Sequence, residues 1–338
     1  MKKMKKISIL IPVFNEEASL KHLFERLESL IIAIGRFEWE VLLVNDGSTD
    51  NTLVLLSQMH EKDKRFNYLD LSRNYGKEVA MLAGFDYVTG DCMVIMDADL
   101  QHPPELIPEM VQYWEEGYDD VYCRRREREG ESYFRKKTSR LFYGFLQKLT
   151  RVEIQQDTGD FRLLDKTCID ALRSMRESQR YTKGMYSWIG FNKKEVLFDQ
   201  HARFAGTTKW NYFKLSELAI EGITSFSISP LRISSLIGVL VSISAFIYMI
   251  YVFIEALLVG DPVKGYPTMM VVILFLGGFQ LLSMGIIGEY LGRIFMETKN
   301  RPPYFARMYN GKKIEKIKQE ESILKINYSE SSGVNQVK

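Results

Sequence analysis

The chain reads as an α/β protein: a doubly wound, mostly parallel sheet with helices on both faces, to which amphipathic interface helices and a two-helix transmembrane hairpin are added. Three observations predict it. Apolar strand-length runs alternate with amphipathic helical stretches through the first hundred residues. Carboxylates recur where those apolar runs end. Two later stretches, Ile233–Ile254 and Tyr266–Gly288, carry no charged residue over 22 and 23 positions.

In order, Ile7–Pro12 is a strand and Glu17–Ile34 a helix, with Leu20, Leu23, Phe24, Leu27, Leu30 and Ile31 at helical spacing. Trp39–Val44, Phe66–Leu71 and Met93–Met96 are further strands, and Thr52–His60 and Lys77–Val88 the helices between them. Strands apolar throughout, separated by helices, belong to a parallel sheet covered on both faces. Ligands of such sheets bind beyond the carboxyl ends of the strands.

Composition narrows the class. With 338 residues, 46% hydrophobic and 26% charged, the chain is not disordered; a net charge of +2 says little about partners, and no nucleic acid is expected among them. Cys92, Cys123 and Cys168 lie far apart, suggesting neither a disulfide framework nor a zinc site. The basic start, Met1–Lys6, precedes an apolar run broken by Pro12, too short for a secretory leader.

Chemistry-bearing residues follow each strand: Pro12-Val-Phe-Asn-Glu16, Asn45-Asp-Gly-Ser-Thr-Asp50, Ser72-Arg-Asn-Tyr-Gly76 and Asp97-Ala-Asp99. Ser48, Thr49 and Asp50 suit helix caps and Gly47 a tight turn. Capping does not explain why Glu16, Asp46, Asp97 and Asp99 gather at one edge, where they repel unless a cation, base or sugar is received there. Carboxylates spaced i, i+2 at a strand end, with Gln101 beyond and Pro103-Pro104 as a stop, can hold a hard divalent cation that takes its other ligands from water and phosphates. A plain surface turn is the competing reading.

These motifs, P-V-F-N-E, V-N-D-G-S-T-D and D-A-D-L-Q-H-P-P, with the later D-T-G-D-F-R-L-L-D, resemble the inverting family 2 nucleotide-sugar glycosyltransferases of GT-A fold. Within them, the chain is similar to the polyprenyl-phosphate branch, which includes dolichyl-phosphate mannose synthases and bacterial bactoprenol glucosyltransferases. The resemblance spans roughly residues 5–305. It implies that Pro12, Phe14 and Glu16 line the base and ribose pocket, that Asp46 receives the base edge, and that Asp97, Asp99 and Gln101 bind Mg²⁺ or Mn²⁺ and the diphosphate. Phe14 stands where many relatives have tyrosine, so stacking is kept and a hydroxyl contact is not.

Glu105–Glu116 reads as a helix and Val121–Arg125 as a strand leading into Arg124-Arg-Arg126 and Arg128. The resemblance favours Arg125 as a phosphate ligand. In Asp157-Thr-Gly-Asp-Phe-Arg162, Gly159 relaxes the backbone between two carboxylates. Relatives place their base here, with Asp157 favoured and Asp160 its rival, unless Asp160 or Arg162 pair structurally. Arg203 and Lys209, in His201–Trp210, match a family loop that holds donor or lipid phosphate. His22, His60 and His102 read as surface or packing residues.

Residues 132–151 form a basic amphipathic stretch and 212–226 a second amphipathic one, both suited to a membrane interface. The two uncharged runs are each long enough to cross a hydrocarbon core of about 30 Å. Lys209, Lys214 and Arg232 before the first, and Arg293, Lys299, Arg301 and Arg307 after the second, put both flanks in the cytoplasm. The expected organisation is a catalytic domain over 1–228, spans near 231–257 and 266–292 within 229–298, and a tail over 299–338. Gly285, Gly288 and Gly292 permit close helix packing, and the resemblance implies a homo-oligomer, a tetramer.

The expected reaction is inverting transfer of a sugar from a nucleotide-diphosphate donor to polyprenyl phosphate at the cytoplasmic face of the plasma membrane, with UDP-glucose and undecaprenyl phosphate as first choices. A GDP-mannose-using synthase and an N-acetylhexosamine or aminoarabinose transferase stand as alternatives within the class. A processive polysaccharide synthase predicts a Q-x-x-R-W motif and more spans, neither of which is found, and a non-catalytic scaffold has no need of every carboxylate.

Overall fold

The computed structural model describes residues 4–126, 158–178, 180–198 and 265–314, with parts of 237–251. The first half folds as the alternation dictates: β1 (Lys6–Val13), α1 (Glu17–Ala33), β2 (Glu38–Asn45), α2 (Thr52–Lys62), β3 (Phe66–Leu71), α3 (Lys77–Tyr87) and β4 (Cys92–Ile95). A 3₁₀ turn over Pro104–Leu106 leads into α4 (Ile107–Glu115), then β5 (Asp120–Arg125). After the stretch outside the described residues come β6 (Thr158–Asp165), α5 (Lys166–Ser174), α6 (Thr182–Trp188) and β7 (Lys193–Phe198).

Among the described residues these strands join one sheet in the order β7-β5-β6-β4-β1-β2-β3, extended by two short strands considered below. β4, β1, β2 and β3 run parallel. β6 lies antiparallel between β4 and β5, so the sheet is mixed on that side. Every residue from Ile7 to Leu10, and from Val41 to Val44, is buried, as expected of strands covered on both faces. The core runs from Ile9, Leu23, Leu27 and Val41 to Ile107, Phe161 and Leu163.

Chain order reverses between β1 and β4, which are neighbours although five elements lie between them in sequence. Loops leaving adjacent strands in opposite directions open a crevice at their carboxyl ends. Here the crevice lies between Phe14–Glu16 after β1 and Asp97–Gln101 after β4.

Two parts differ from the sequence expectation. Gly159 is expected to relax the backbone between Asp157 and Asp160, yet residues 158–165 form a strand, paired with β5 and, from Arg162 on, with β4 as well, and Gly159 is extended within it. Residues 299–338 read as a tail, yet β8 (Ala306–Tyr309) pairs with β3 and β9 (Lys312–Lys313) pairs with β8. β3 would otherwise be an open edge, and β8 covers it. The turn between β8 and β9 is Asn310-Gly311, with φ of 49° and 78°, the left-handed pair that two-residue hairpins require.

The sheet, its helices and the described residues after 302 form one compact unit. A second unit contributes α7 (Tyr266–Thr298), 33 residues long. Ile273, Phe275, Leu281, Leu282, Met284, Ile287, Leu291, Ile294 and Phe295 on it are each more than half exposed. Some side chains of its first nine positions, and most of the expected first span, lie outside the described residues. Among the described residues, no helix is long and apolar enough to cross a membrane.

Candidate active site

The loops after β1 and β2 are laced together. The Asn15 amide donates to Ser48 Oγ at 3.0 Å, and Asn15 Oδ1 accepts from the Thr49 amide at 2.8 Å, an arrangement that holds Asn15 at a φ of 55°. The Glu16 amide donates to Thr52 Oγ1 at 3.0 Å, and the Glu16 carboxylate accepts from Ser19 Oγ. This leaves Phe14 on the rim, 44% exposed, where an aromatic ring can stack on a flat ligand. Asp50 immediately precedes Asn51, the N-cap of α2, and its Oδ1 accepts from the Thr52 amide.

Asp46 at the end of β2 is buried, and each of its oxygens is engaged. The Tyr75 amide donates to Oδ1 at 2.7 Å and the Gly76 amide to Oδ2 at 2.8 Å. Burial raises its pKa, an effect opposed by those two amides and by the Arg73 cation. The expected role at a base edge therefore has a competitor: Asp46 anchors the loop leading into α3. Gly47 alone fits beside it, since it has a φ of 67° and a Cβ there would lie 2.5 Å from the Arg73 carbonyl carbon.

That anchored loop delivers Lys77 to the centre of the site. Its ammonium lies 2.6 Å from Asp97 Oδ1 and 2.7 Å from Asp160 Oδ2, so Asp97 and Asp160 are brought within reach of one cation. Burial would lower the lysine pKa, but the two carboxylates outweigh it and raise it. Burial likewise pushes Asp160 up, and Lys77 more than offsets that, holding its carboxyl below the usual range. Asp160 Oδ1 is buried with no hydrogen-bond partner among the described residues. The next residue, Glu78, accepts from both the amide and the hydroxyl of Thr182, tying α3 to α6.

Asp97, Asp99 and Gln101 sit on a turn with a left-handed residue, Leu100, at a φ of 61°. Strain of this kind persists only where its surroundings enforce it. Here Leu100 is buried and Asp99 Oδ1 accepts from the Gln101 amide at 3.1 Å. The buried His102 accepts the Asp97 amide on Nδ1 at 3.2 Å. Its ring stacks on Phe161, centroids 4.9 Å apart, and meets the edge of Phe198. Burial lowers its pKa and keeps it neutral. His102 is thus a packing residue that also fixes the backbone of the acidic turn.

Arg125 is close enough to His102 to count among the charges around it, whereas Arg124 is turned to Glu195 at 3.1 Å. Arg162 pairs structurally: Nη1 lies 3.0 Å from Asp120 Oδ2, and its guanidinium covers the Tyr186 ring at 3.6 Å. Asp157, Arg203, Lys209 and both amphipathic stretches lie outside the described residues. The sequence reading missed Lys77 and the backbone role of His102. The available signal for Lys77 was its place, directly after the Ser72–Gly76 strand exit.

A sequence profile described as Glycosyl transferase family 2 matches residues 8–173. A bactoprenol glucosyl transferase of Shigella phage SfX is 39% identical over 302 residues, covering 89% of this chain and 99% of that protein. The chain belongs to glycosyl transferase family 2. An uncharacterized glycosyltransferase of Synechocystis is 44% identical over 300 residues, 89% of this chain and 94% of that one. A second profile, the GtrB C-terminal hairpin, matches residues 229–294 of this family 2 glycosyltransferase. Glucosyl-3-phosphoglycerate synthase from Mycobacterium tuberculosis, a solved structure, is 18% identical, with 65% of this chain and 78% of that one covered at a TM-score of 0.44, a likeness too distant to bear on substrate or metal.

Proposed function

We propose that this glycosyltransferase moves glucose from UDP-glucose to undecaprenyl phosphate, inverting the anomeric centre, at the cytoplasmic face of the plasma membrane. The observation that carries the reading is that Phe14, Glu16, Asp46, Asp97 and Asp99 follow the carboxyl ends of β1, β2 and β4, while Asp160, near the amino end of the antiparallel β6, shares Lys77 with Asp97. The match to a protein named bactoprenol glucosyl transferase supports the acceptor and the sugar.

The donor set fits a hard cation. Asp97 and Asp99 offer carboxylate oxygens and Gln101 an amide oxygen, and Asp97 already attracts a cation in the form of Lys77. Bound there, Mg²⁺ or Mn²⁺ would neutralise charge on the departing diphosphate. Phe14 stacks on the base, with Pro12 and Glu16 lining the pocket around it and Asp46 holding its floor. Asp160, kept ionised by Lys77, serves the acceptor side, and Asp157 is assigned the same role from the sequence alone. An acceptor phosphate is already ionised near neutral pH, so these carboxylates position more than they deprotonate. Arg125, Arg203 and Lys209 hold phosphate oxygens.

The anchor is a hairpin of two spans near 231–257 and 266–292. It is supported by the hairpin profile, by the length of α7 and by the apolar side chains it exposes around its circumference. The basic flanks orient it with the catalytic domain and both termini in the cytoplasm, and the enzyme assembles as a homo-oligomer.

The test offers membranes containing the protein a panel of labelled UDP- and GDP-sugars and measures label in the lipid extract. UDP-glucose labels the lipid fraction on this reading. Labelling from GDP-mannose alone, or from an N-acetylhexosamine donor alone, replaces the donor assignment. Labelling from none of them removes the acceptor assignment.

A further inference from the structure

Lys77 stands where two functions meet. One ammonium touches Asp97, assigned above to the donor's metal, and Asp160, assigned to the acceptor side, at 2.6 and 2.7 Å. These are lengths of charge-assisted hydrogen bonds. The backbone that carries Lys77 is fixed from both sides: Asp46 holds the amides of Tyr75 and Gly76 before it, and Glu78 holds Thr182 after it. The lysine side chain is 41% exposed, but its backbone is held on both sides and its ammonium is bonded to two separate segments of the chain.

We propose that Lys77 is a resident counter-cation, a positioning residue that occupies Asp97 until the donor arrives and releases it only to a divalent ion accompanied by a nucleotide diphosphate. The inference rests on the reading of Asp97 and Asp99 as metal ligands. A divalent ion entering alone meets a positive charge bonded to one of its ligands, and only two protein carboxylates to hold it. That contact opposes metal binding by an amount comparable to the effect of a neighbouring charge on a carboxylate, about one power of ten or more. A nucleotide diphosphate brings the negative charge and the oxygen ligands that reverse this balance. Lys77 can then stay with Asp160, whose second oxygen has no other hydrogen-bond partner among the described residues. Metal and nucleotide thus enter together, and the acceptor carboxylate remains paired throughout.

The experiment measures Mn²⁺ binding by the electron paramagnetic resonance signal of the free ion, using the full-length protein in detergent, with and without UDP. The wild type binds Mn²⁺ weakly alone and more tightly with UDP. In Lys77→Met the dissociation constant without UDP falls about tenfold, and the further tightening by UDP shrinks by a similar factor. Lys77→Gln, which keeps hydrogen bonding without the charge, shows the same gain and carries the test if the methionine variant does not fold. In an Asp97→Asn background neither substitution gives a gain, because the effect passes through Asp97. A purely structural ion pair would lower thermal stability and leave metal affinity unchanged. Unchanged or weaker Mn²⁺ binding in the uncharged variants, or a gain that persists in Asp97→Asn, overturns the proposal. A wild type that binds no Mn²⁺ even with UDP overturns the metal reading itself and the proposal with it.

Discussion

The Gly76 amide donates to Asp46 Oδ2 at 2.8 Å, joining the exit of β2 to the residue that precedes α3. Through this bond and its companion from Tyr75, the buried Asp46 carboxylate sets the backbone that carries Lys77. Asp46→Asn turns an amide nitrogen toward one of two backbone donors. The expected cost is about 1–3 kcal/mol of stability, the penalty for a buried donor left unmet, together with a higher KM for donor and a lower kcat. Urea unfolding and steady-state kinetics check this. Unchanged stability with only KM raised would return Asp46 to the base contact expected from sequence.

Arg162 and Asp120 form an ion pair in which both side chains are almost wholly buried, at 1% and 0% exposure. Removing one partner leaves a buried charge uncompensated. Arg162→Met is expected to lose about 3–5 kcal/mol, and Arg162→Met with Asp120→Asn to recover part of it. Chemical denaturation of both variants measures the difference, and additive losses would refute the coupling.

All three cysteines are buried and free. Burial raises the thiol of Cys92, pushes that of Cys123 up to about 12, and raises that of Cys168. The thiolate is the reactive form. Iodoacetamide at neutral pH is expected to leave all three unmodified in the native protein and to modify all three in guanidinium, read by intact mass. Rapid modification of any one in the native state contradicts the burial.

Asp165 caps α5, accepting from the Thr167 amide at 2.9 Å, and also accepts from Trp114 Nε1 at 2.8 Å. Burial raises its pKa, but the bonds from Trp114 and Thr167 outweigh this and lower it. A carboxyl depressed on folding contributes stability that is present above its unfolded pKa, about 3.9, and is lost as pH falls through the folded value. Asp165→Ala is expected to cost about 1 kcal/mol or somewhat more at neutral pH and to flatten the decline of stability below about pH 4. Thermal melts from pH 7 to pH 2.5 measure both.

The alternating half of the fold was legible because each strand there is apolar throughout and each helix amphipathic, so β1 to β4 and α1 to α3 fall within a residue or two of their expected ends. β6 was not, because Thr158-Gly-Asp160 carries turn residues and only its pairing with β5 makes that stretch extended. β8 is four residues long and pairs with a strand more than 230 positions away. Only Asn310-Gly311 announced it. At the site, the carboxylates were visible as strand exits. Lys77 was not, because a lysine opening a helix looks like an ordinary exposed charge until Asp97 and Asp160 are placed beside it.

Asp99 tests the central claim most directly, since its assignment as a ligand for the donor's cation came from spacing and its strained turn is seen in the structure. The measurement is transfer of label from UDP-glucose to lipid extract by membranes carrying wild type or Asp99→Ala at matched levels. The account predicts loss of transfer by at least about two orders of magnitude, the scale of losing a principal stabiliser of the leaving group, with thermal stability and membrane association unchanged. Transfer at the wild-type rate by a folded Asp99→Ala protein would contradict it.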